Sequence, residues 1–484
     1  MSTRPSARDV LDQMLDPGSF TSWDEPVDLS GCDGGYADEL ARARERSGTD
    51  EAVVTGSGTL RGHPVAVIVS EFGFLGGSIG VATADRITAA VTRATAQRLP
   101  LLAATSSGGT RMQEGTSAFV RMVTIFAAVV AHKHVGLPYL VYLRHPTTGG
   151  VFASWGSLGH LTVGEPGALI GFLGPRVYES LNGTPFPEGV QVAENLVAKG
   201  IIDAVVPLAQ LAEPVARVLD LLACRDQPSR LPRPDQVRGL EPGIPEATWA
   251  AVLRTRDPRR PGIREVLRCA ASEVTLLSGT GAGQVDARLL LALARFDGLS
   301  CVLVAQDRRK QTRQSMGPGA LREARRGMAL ADELGLPLVA VIDTPGADLS
   351  PDAEEGALAG EIARCLADMV SLSVPTVAVL LGQGCGGGAL ALLPAARVIA
   401  AESAWLSPLP PEGASAIVYH DTEHAPQMAA RQWIGARELA AAGIVHRIVA
   451  EPADILDSPQ TFAEVIVAEC AACLRELAAE QDQQ

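Results

Sequence analysis

The chain repeats itself. LPLLAATS begins at Leu99 and LPLVAVID at Leu336, so Pro100 and Pro337 stand 237 residues apart. The next apolar run, GLPYLVYL with Pro138, matches SVPTVAVLL with Pro375 at the same spacing. Paired glycines follow, Gly149-Gly150 and Gly387-Gly388, with one residue of slippage. Upstream, LRGHPVAVIVS around Gly62 matches FDGLSCVLVA around Gly298; downstream, KGIIDAVVP at Gly200 matches AGIVHRIVA at Gly443. Landmarks in register over about 140 residues mark an internal duplication, which fixes the architecture before any local pattern is read. Each apolar run entered through Leu-Pro reads as a strand buried on both faces, the condition of a parallel sheet. Helix-like stretches from 119 to 135 and from 357 to 372 separate the runs. The fold class is therefore α/β, two tandem copies of one domain with strand–helix–strand crossovers. The expected boundaries are 1–225 for the first domain, 226–262 for a linker rich in proline and arginine, and 263–484 for the second.

Composition narrows the function. Aromatic residues are 4% of the chain, so the core is aliphatic. Acidic residues outnumber basic ones 55 to 41, which argues against bulk nucleic-acid binding. Lysine occurs only at 133, 199 and 310, so any mechanism that needs one has three candidates. The N-terminus has no apolar stretch of signal-peptide type, and no uninterrupted apolar run reaches the length of a membrane span. Eight scattered cysteines in a chain of this length read as reduced thiols, so the expected location is cytoplasmic.

The glycines carry the chemistry. HPTTGGVFASWGSLGH and GQGCGGGALALLPAA each read as strand, glycine turn and helix start. Glycine admits unusual φ and close approach, and the first amides of a helix have no internal partner. Together these make a backbone oxyanion hole. The plainer reading is tight helix–strand packing; one such turn in each copy favours a pair of sites. Gly382, Gly384 and Gly387 also fit G-x-G-x-x-G, but the segment from 389 to 396 is short and interrupted by Pro394, which disfavours a dinucleotide site. GGSIG around Ser78 fits a hydrolase nucleophile pattern, and HDTEH at His420–His424 a metal motif. Pro426 should open a new helix, leaving both histidines in a loop, so no metal is predicted.

SSGGTRMQEG (Ser106–Gly115), TTGGVFAS and GEPGALIGFLGPRV (Gly164–Val177) resemble the β subunit of bacterial acetyl-CoA carboxylase carboxyltransferase. RTRDPRRPG, IDTPGAD, SVPTVAVLLGQGCGGGALAL and SPLPPEGASAIVY resemble its α subunit. The likeness covers most of 51–450 in the family's order, as if the two subunits were fused. It implies two crotonase-superfamily (ββα-superhelix) domains. It implies a reaction in which carboxybiotin on a carrier protein gives up its carboxylate, the ureido nitrogen takes the α-proton of an acyl-CoA, and the enolate attacks CO₂ to give malonyl-CoA, the building block of fatty acid biosynthesis. Gly149 and Gly150 would form the hole for the acyl-CoA, Gly387 and Gly388 that for biotin. No side-chain base is then required, since the cofactor supplies it.

The chain departs from the family pattern in lacking the β subunit's four-cysteine zinc ribbon; only Cys32 precedes Cys224. It has no Met-Lys-Met biotin-attachment site and no P-loop, so the resemblance implies two partners, a biotin carboxyl carrier protein and a biotin carboxylase. It also implies a homo-oligomer, at least a dimer, with sites joining the first half of one chain to the second half of another. Seven basic residues cluster at Arg308, Arg309, Lys310, Arg313, Arg322, Arg325 and Arg326, a candidate for coenzyme A phosphates, the alternative being a solvated helix face. Arg111, after Gly108-Gly109, is a second candidate, CoA-facing or structural. Rival readings are a malonate-decarboxylase relative and a catalytically silent scaffold of a carboxylase complex.

Overall fold

The first sheet is built around a hairpin. Strand β1 (Val53–Leu60) turns through Arg61 and Gly62, at φ +47° and +84°, into the antiparallel strand β2 (His63–Ser70). Two consecutive residues at positive φ make the tight turn whose twist suits an antiparallel pair, and glycine takes the second position without steric cost. Helix α1 (Val81–Ala96) leads to β3 (Leu101–Ser107), and helix α2 (Gly115–His134) leads to β4 (Tyr139–Thr148). β3 is parallel to β2 and β4 to β3. The order across the sheet is Thr21–Ser22, β1, β2, β3, β4, then β5 (Leu161–Gly164) and Ala204–Val205; Ile170–Gly171 pairs with the end of β4.

The second sheet repeats this plan. Helix α3 (Pro245–Arg256) precedes strand Ala271–Leu277. Strand β6 (Leu289–Phe296) turns through Asp297 and Gly298, at φ +46° and +84°, into β7 (Leu299–Gln306). Helix α4 (Pro318–Leu334), β8 (Leu338–Thr344), helix α5 (Leu358–Ser371) and β9 (Thr376–Cys385) follow. The short helix α6 (Gly386–Leu390) and β10 (Arg397–Ala401) complete the series, with Arg447–Val449 at the far edge. The repetition reaches single residues. The β3–β4 ladder skips between Thr105 and Ser107, and the β8–β9 ladder between Ile342 and Thr344. Ser107 and Thr344 are 237 positions apart, as are their partners Thr147 and Gly384.

These are coordinates from a computed structural model, which describes residues 4–27, 34–172, 174–223, 245–312, 315–452 and 454–481. The chain divides into two compact units, Met1–Asp220 with Gly281–Gly283 and Leu221–Thr280 with Gln284–Gln484. Of the stretch read from sequence as a linker, 226–244 lies outside the described residues. The rest includes α3, whose Val252 is fully buried with Cys385, Trp405, Ala429 and Ile434 of the second unit. Apolar burial there outweighs the proline and arginine content by which the segment reads as a connector.

Every residue of β3, β6, β7 and β8 is buried, as strands covered on both faces require. Helix α2 has two apolar sides. Met122, Ile125 and Val129 pack into the first core and Ala118 is buried beside them on the helix, while Phe119, Val120, Val123 and Phe126 are exposed. By length and composition it is the one helix among the described residues that could cross a membrane, although its inner side lies in the core.

Candidate active site

In each unit the third core strand overruns its sheet and ends in a glycine turn. In the first, Gly149 sits at φ +65°, and a Cβ there would come within 3.2 Å of the Gly109 Cα. The turn can lie against Gly108-Gly109 only because both sides lack side chains. The N–H of Gly149 is not open to a ligand. It donates to the Phe172 carbonyl at 2.9 Å, a last rung after the pairing of Thr147–Thr148 with Ile170–Gly171. This corrects the expectation that Gly149 supplies a donor: it turns the chain, and the following amides are the ones released. Ala153 N–H bonds back to the Gly149 carbonyl at 3.1 Å, closing one helical turn. The N–H groups of Gly150 and Val151, inside that turn, have no acceptor among the described residues.

In the second unit the chain turns at Gly386, φ +61°, into α6. The N–H groups of Gly386, Gly387 and Gly388 have no acceptor among the described residues. A Cβ at Gly388 would meet the Ala347 nitrogen and the Gly346 carbonyl carbon at 3.4 Å, so this turn too lies backbone-on-backbone against the end of its neighbouring strand. Cys385 is buried beside it, and desolvation pushes its thiol up to about 11. A protonated thiol is no nucleophile at neutral pH. What the two turns offer is amide hydrogen for a developing oxyanion.

The loops behind the turns are braced alike. Gly109 N–H donates to the Ser107 hydroxyl at 3.0 Å and Gly346 N–H to the Thr344 hydroxyl at 3.1 Å. Gly108 N–H goes to the Gly76 carbonyl at 2.9 Å. The amides of Gly108 and Gly109, which with Arg111 form the second candidate from the sequence for binding the CoA cofactor, are thus both engaged within the fold. Arg111 is 1% exposed. Its guanidinium meets Glu51, Glu114, Tyr36, Thr83 and both the hydroxyl and carbonyl of Ser78. Glu114 in turn accepts the N–H of Val81 at 2.5 Å, at the start of α1. Of the two roles open to Arg111 in the sequence, the structural one is occupied, and Ser78 belongs to this same network.

The basic cluster divides. Arg308 donates to the carbonyls of Thr255 at 2.7 Å and Asp257 at 3.1 Å, and also to that of Arg260. It closes the end of α3 and is turned into the fold rather than toward a phosphate. Arg322 and Arg325 bind Glu361, and Arg326 bonds to the Ser278 and Gly279 carbonyls. Arg309 is half-exposed beside Glu265 at 3.0 Å, and Lys310 is exposed. Arg313 lies outside the described residues, as do Cys32 and Cys224. In the HDTEH segment, His424 Nδ1 pairs with Asp421 at 2.8 Å, in a turn before the helix Ala425–Arg431.

Two glutamines and an aspartate escaped the sequence reading. Gln306 ends β7, Gln311 lies five residues beyond it, and Asp343 is next to last in β8; all three are buried. The available signal was a carboxamide closing an otherwise apolar strand, LSCVLVAQ.

Tandem α/β units of this order, each ending its third core strand in a glycine turn with open amides, define a crotonase-type fold. The carboxyl transferase domain family matches residues 3–481, and the chain belongs to that family. It is 60% identical over 452 residues to a probable biotin-dependent acyl-coenzyme A carboxylase beta3 subunit of Mycobacterium tuberculosis, covering 93% of this chain and 90% of the relative. It is 37% identical over 472 residues to the acetyl-coenzyme A carboxylase carboxyl transferase subunits beta/alpha of Salinispora arenicola, covering 93% of this chain and 83% of that one. Among solved structures, the transcarboxylase 12S hexamer with hydrolysed methylmalonyl-coenzyme A bound superposes with a TM-score of 0.78 at 22% identity, over 98% of this chain and 90% of that one. The fold is therefore the tandem crotonase-like one, and the chain is a carboxyltransferase subunit of the biotin-dependent acyl-CoA carboxylase family.

Proposed function

We propose that this subunit moves a carboxyl group from carboxybiotin on a separate carrier protein to a short acyl-CoA, acetyl-CoA first, giving malonyl-CoA. The observation that carries the reading is one glycine turn per unit, each with amides that lack an acceptor among the described residues. Gly150 and Val151 would hold the thioester oxygen as the α-carbon loses its proton. Gly387 and Gly388 would hold the ureido oxygen. Carboxybiotin, when bound, supplies the carboxyl group and afterwards the basic nitrogen. The donor set fits it, since amide hydrogens suit an oxygen that gains negative charge and bring no competing nucleophile. Arg309 and Lys310, the outward members of the basic cluster, are the residues proposed for the CoA phosphates. Biotin carrier and biotin carboxylase proteins are the proposed partners. The outward apolar side of α2 supports a homo-oligomer, because a helix apolar on both sides needs a second covering surface.

The test is carboxyl transfer from malonyl-CoA to free biotin, with decarboxylation followed in parallel. Gly150→Val puts a branched side chain where Met122 Cε stands 3.3 Å from an ideal Cβ, and Gly388→Val one where the Ala347 nitrogen stands at 3.4 Å. Valine keeps the N–H but must shift the turn to fit; a donor moved out of line is worth about as much as one lost, roughly 10²–10³ in rate, so each variant should fall about that far with its circular dichroism unchanged. Normal turnover in both would refute the role of the turns. Decarboxylation without biotin carboxylation would favour a decarboxylase.

A further inference from the structure

β7 runs through seven apolar or small residues and then ends in a carboxamide. Gln306 is 0% exposed, and a buried carboxamide must find partners for both its ends. Its Oε1 accepts the N–H of Asp343 at 3.0 Å, and its Nε2 donates to the carbonyl of Gly388 at 2.7 Å. The amide orientation is fixed by these partners, one purely a donor and the other purely an acceptor. A single planar group thus ties the end of β8 to the glycine turn that follows β9. Gln311 completes the grip on the same stretch of chain. Its Nε2 donates to the Asp343 carbonyl at 3.3 Å and its Oε1 accepts the Thr344 hydroxyl at 2.6 Å. The Asp343 carboxylate accepts the N–H of Gln383 at 3.1 Å, inside the strand that leads into the turn.

The first unit does this differently. The residue 236 positions before Gln306 is Ser70, whose side chain is too short to span such a gap. There the carbonyl of Gly150 accepts the hydroxyl of Ser154, from its own turn, at 2.6 Å. The carbonyl of Gly388 is therefore held by a side chain from another strand, and that of Gly150 by a hydroxyl of its own turn.

We propose that Gln306 is a positioning residue for carboxyl transfer, holding the carbonyl of Gly388, and through it that residue's backbone, so that the N–H groups of Gly387 and Gly388 on the preceding peptides point at the substrate oxygen. This rests on the reading of the glycine turns given above. Misplacing a donor by a fraction of an ångström removes much of its effect on the transition state while leaving the fold standing.

The experiment is steady-state transfer by the full-length, assembled protein, with malonyl-CoA and free biotin each varied and pH scanned, for Gln306→Leu and Gln306→Glu. Gln306→Leu should lower kcat roughly ten- to hundredfold and move the KM of one substrate alone, since it disturbs one turn of two. Gln306→Glu is the conservative rescue. A protonated glutamic acid can accept from Asp343 and donate to Gly388; an ionised one sets a carboxylate against a carbonyl. Its transfer rate should approach the unmodified protein's at low pH and fall as the new carboxyl ionises, a break missing from Gln306→Leu. The charged groups around this site are Asp343, Arg308 at 3.5 Å from it, Arg260, which bonds the Leu381 carbonyl, and Asp307; the unmodified protein carries them too, so its profile is the control. Unchanged kinetics in both variants would overturn the proposal, as would equal rises in both KM values with a pH profile parallel to the control. If Gly388→Val is inactive while both Gln306 variants are normal, the positioning role alone fails. If Gly388→Val is also normal, the reading of the turn fails with it.

Discussion

Asp343 shows what the second turn's support costs in charge. Burial pushes its carboxyl from 3.8 to about 6, against the opposing pull of Arg308 and the Gln383 N–H. A carboxyl whose folded pKa lies above its unfolded one keeps its proton longer in the folded chain. Between those values the folded state binds more protons than the unfolded, so stability falls as pH rises through the window and is fully present only below it. Asp343→Asn keeps an oxygen for the Gln383 N–H and removes the titration. In denaturant unfolding between pH 4 and pH 7, the unmodified chain should lose stability relative to the variant as pH rises through about 6. Parallel curves would remove Asp343 as the source. Single residues of this kind were the least legible in the sequence. Arg111 could be read as a ligand-binding or a structural side chain, because nothing local says that Glu51, 60 positions away, comes to meet it. Gly149 looked like a donor because the sequence does not reveal that Phe172 takes its N–H.

Elements were legible where periodicity and punctuation agreed. Each Leu-Pro entry does open a buried parallel strand, and the matched glycines at 62 and 298 do mark matched hairpins. What failed was the boundary segment, where arginine and proline outweighed a short apolar pattern around Trp249 and Val252. Arg308 belongs to that correction. It draws together three carbonyls around the end of α3, a region where a helix leaves acceptors unsatisfied. Arg308→Ala should therefore cost about 2–4 kcal/mol of stability, the range for losing a buried, charged donor, and should leave the KM for acyl-CoA unchanged. Lys310→Ala should do the reverse. Thermal denaturation and initial-rate kinetics on the same samples separate the two, and an acyl-CoA KM raised by Arg308→Ala with stability intact would return that side chain to the phosphates.

For the whole molecule, the decisive surface is the outer side of α2. Phe119, Val120, Val123 and Phe126 present large apolar groups on one face of a helix whose other face is already spent on the core. The proposed homo-oligomer predicts that Phe119→Lys with Val123→Asp lowers the molar mass in sedimentation and abolishes transfer, with secondary structure retained. An unchanged mass would show that this stripe is not the contact. Duplication itself was visible from the first reading, because it survives as spacing. The differing supports of the two copies were not, since a serine hydroxyl and a distant glutamine leave no common trace in the sequence. That difference bears on how such a protein can change. On the proposed reading, a catalyst whose paired cradles are propped by unrelated side chains could have one reshaped for a bulkier thioester while the other goes on receiving the same swinging cofactor arm, which would put new substrate ranges within reach of mutations confined to a single lobe.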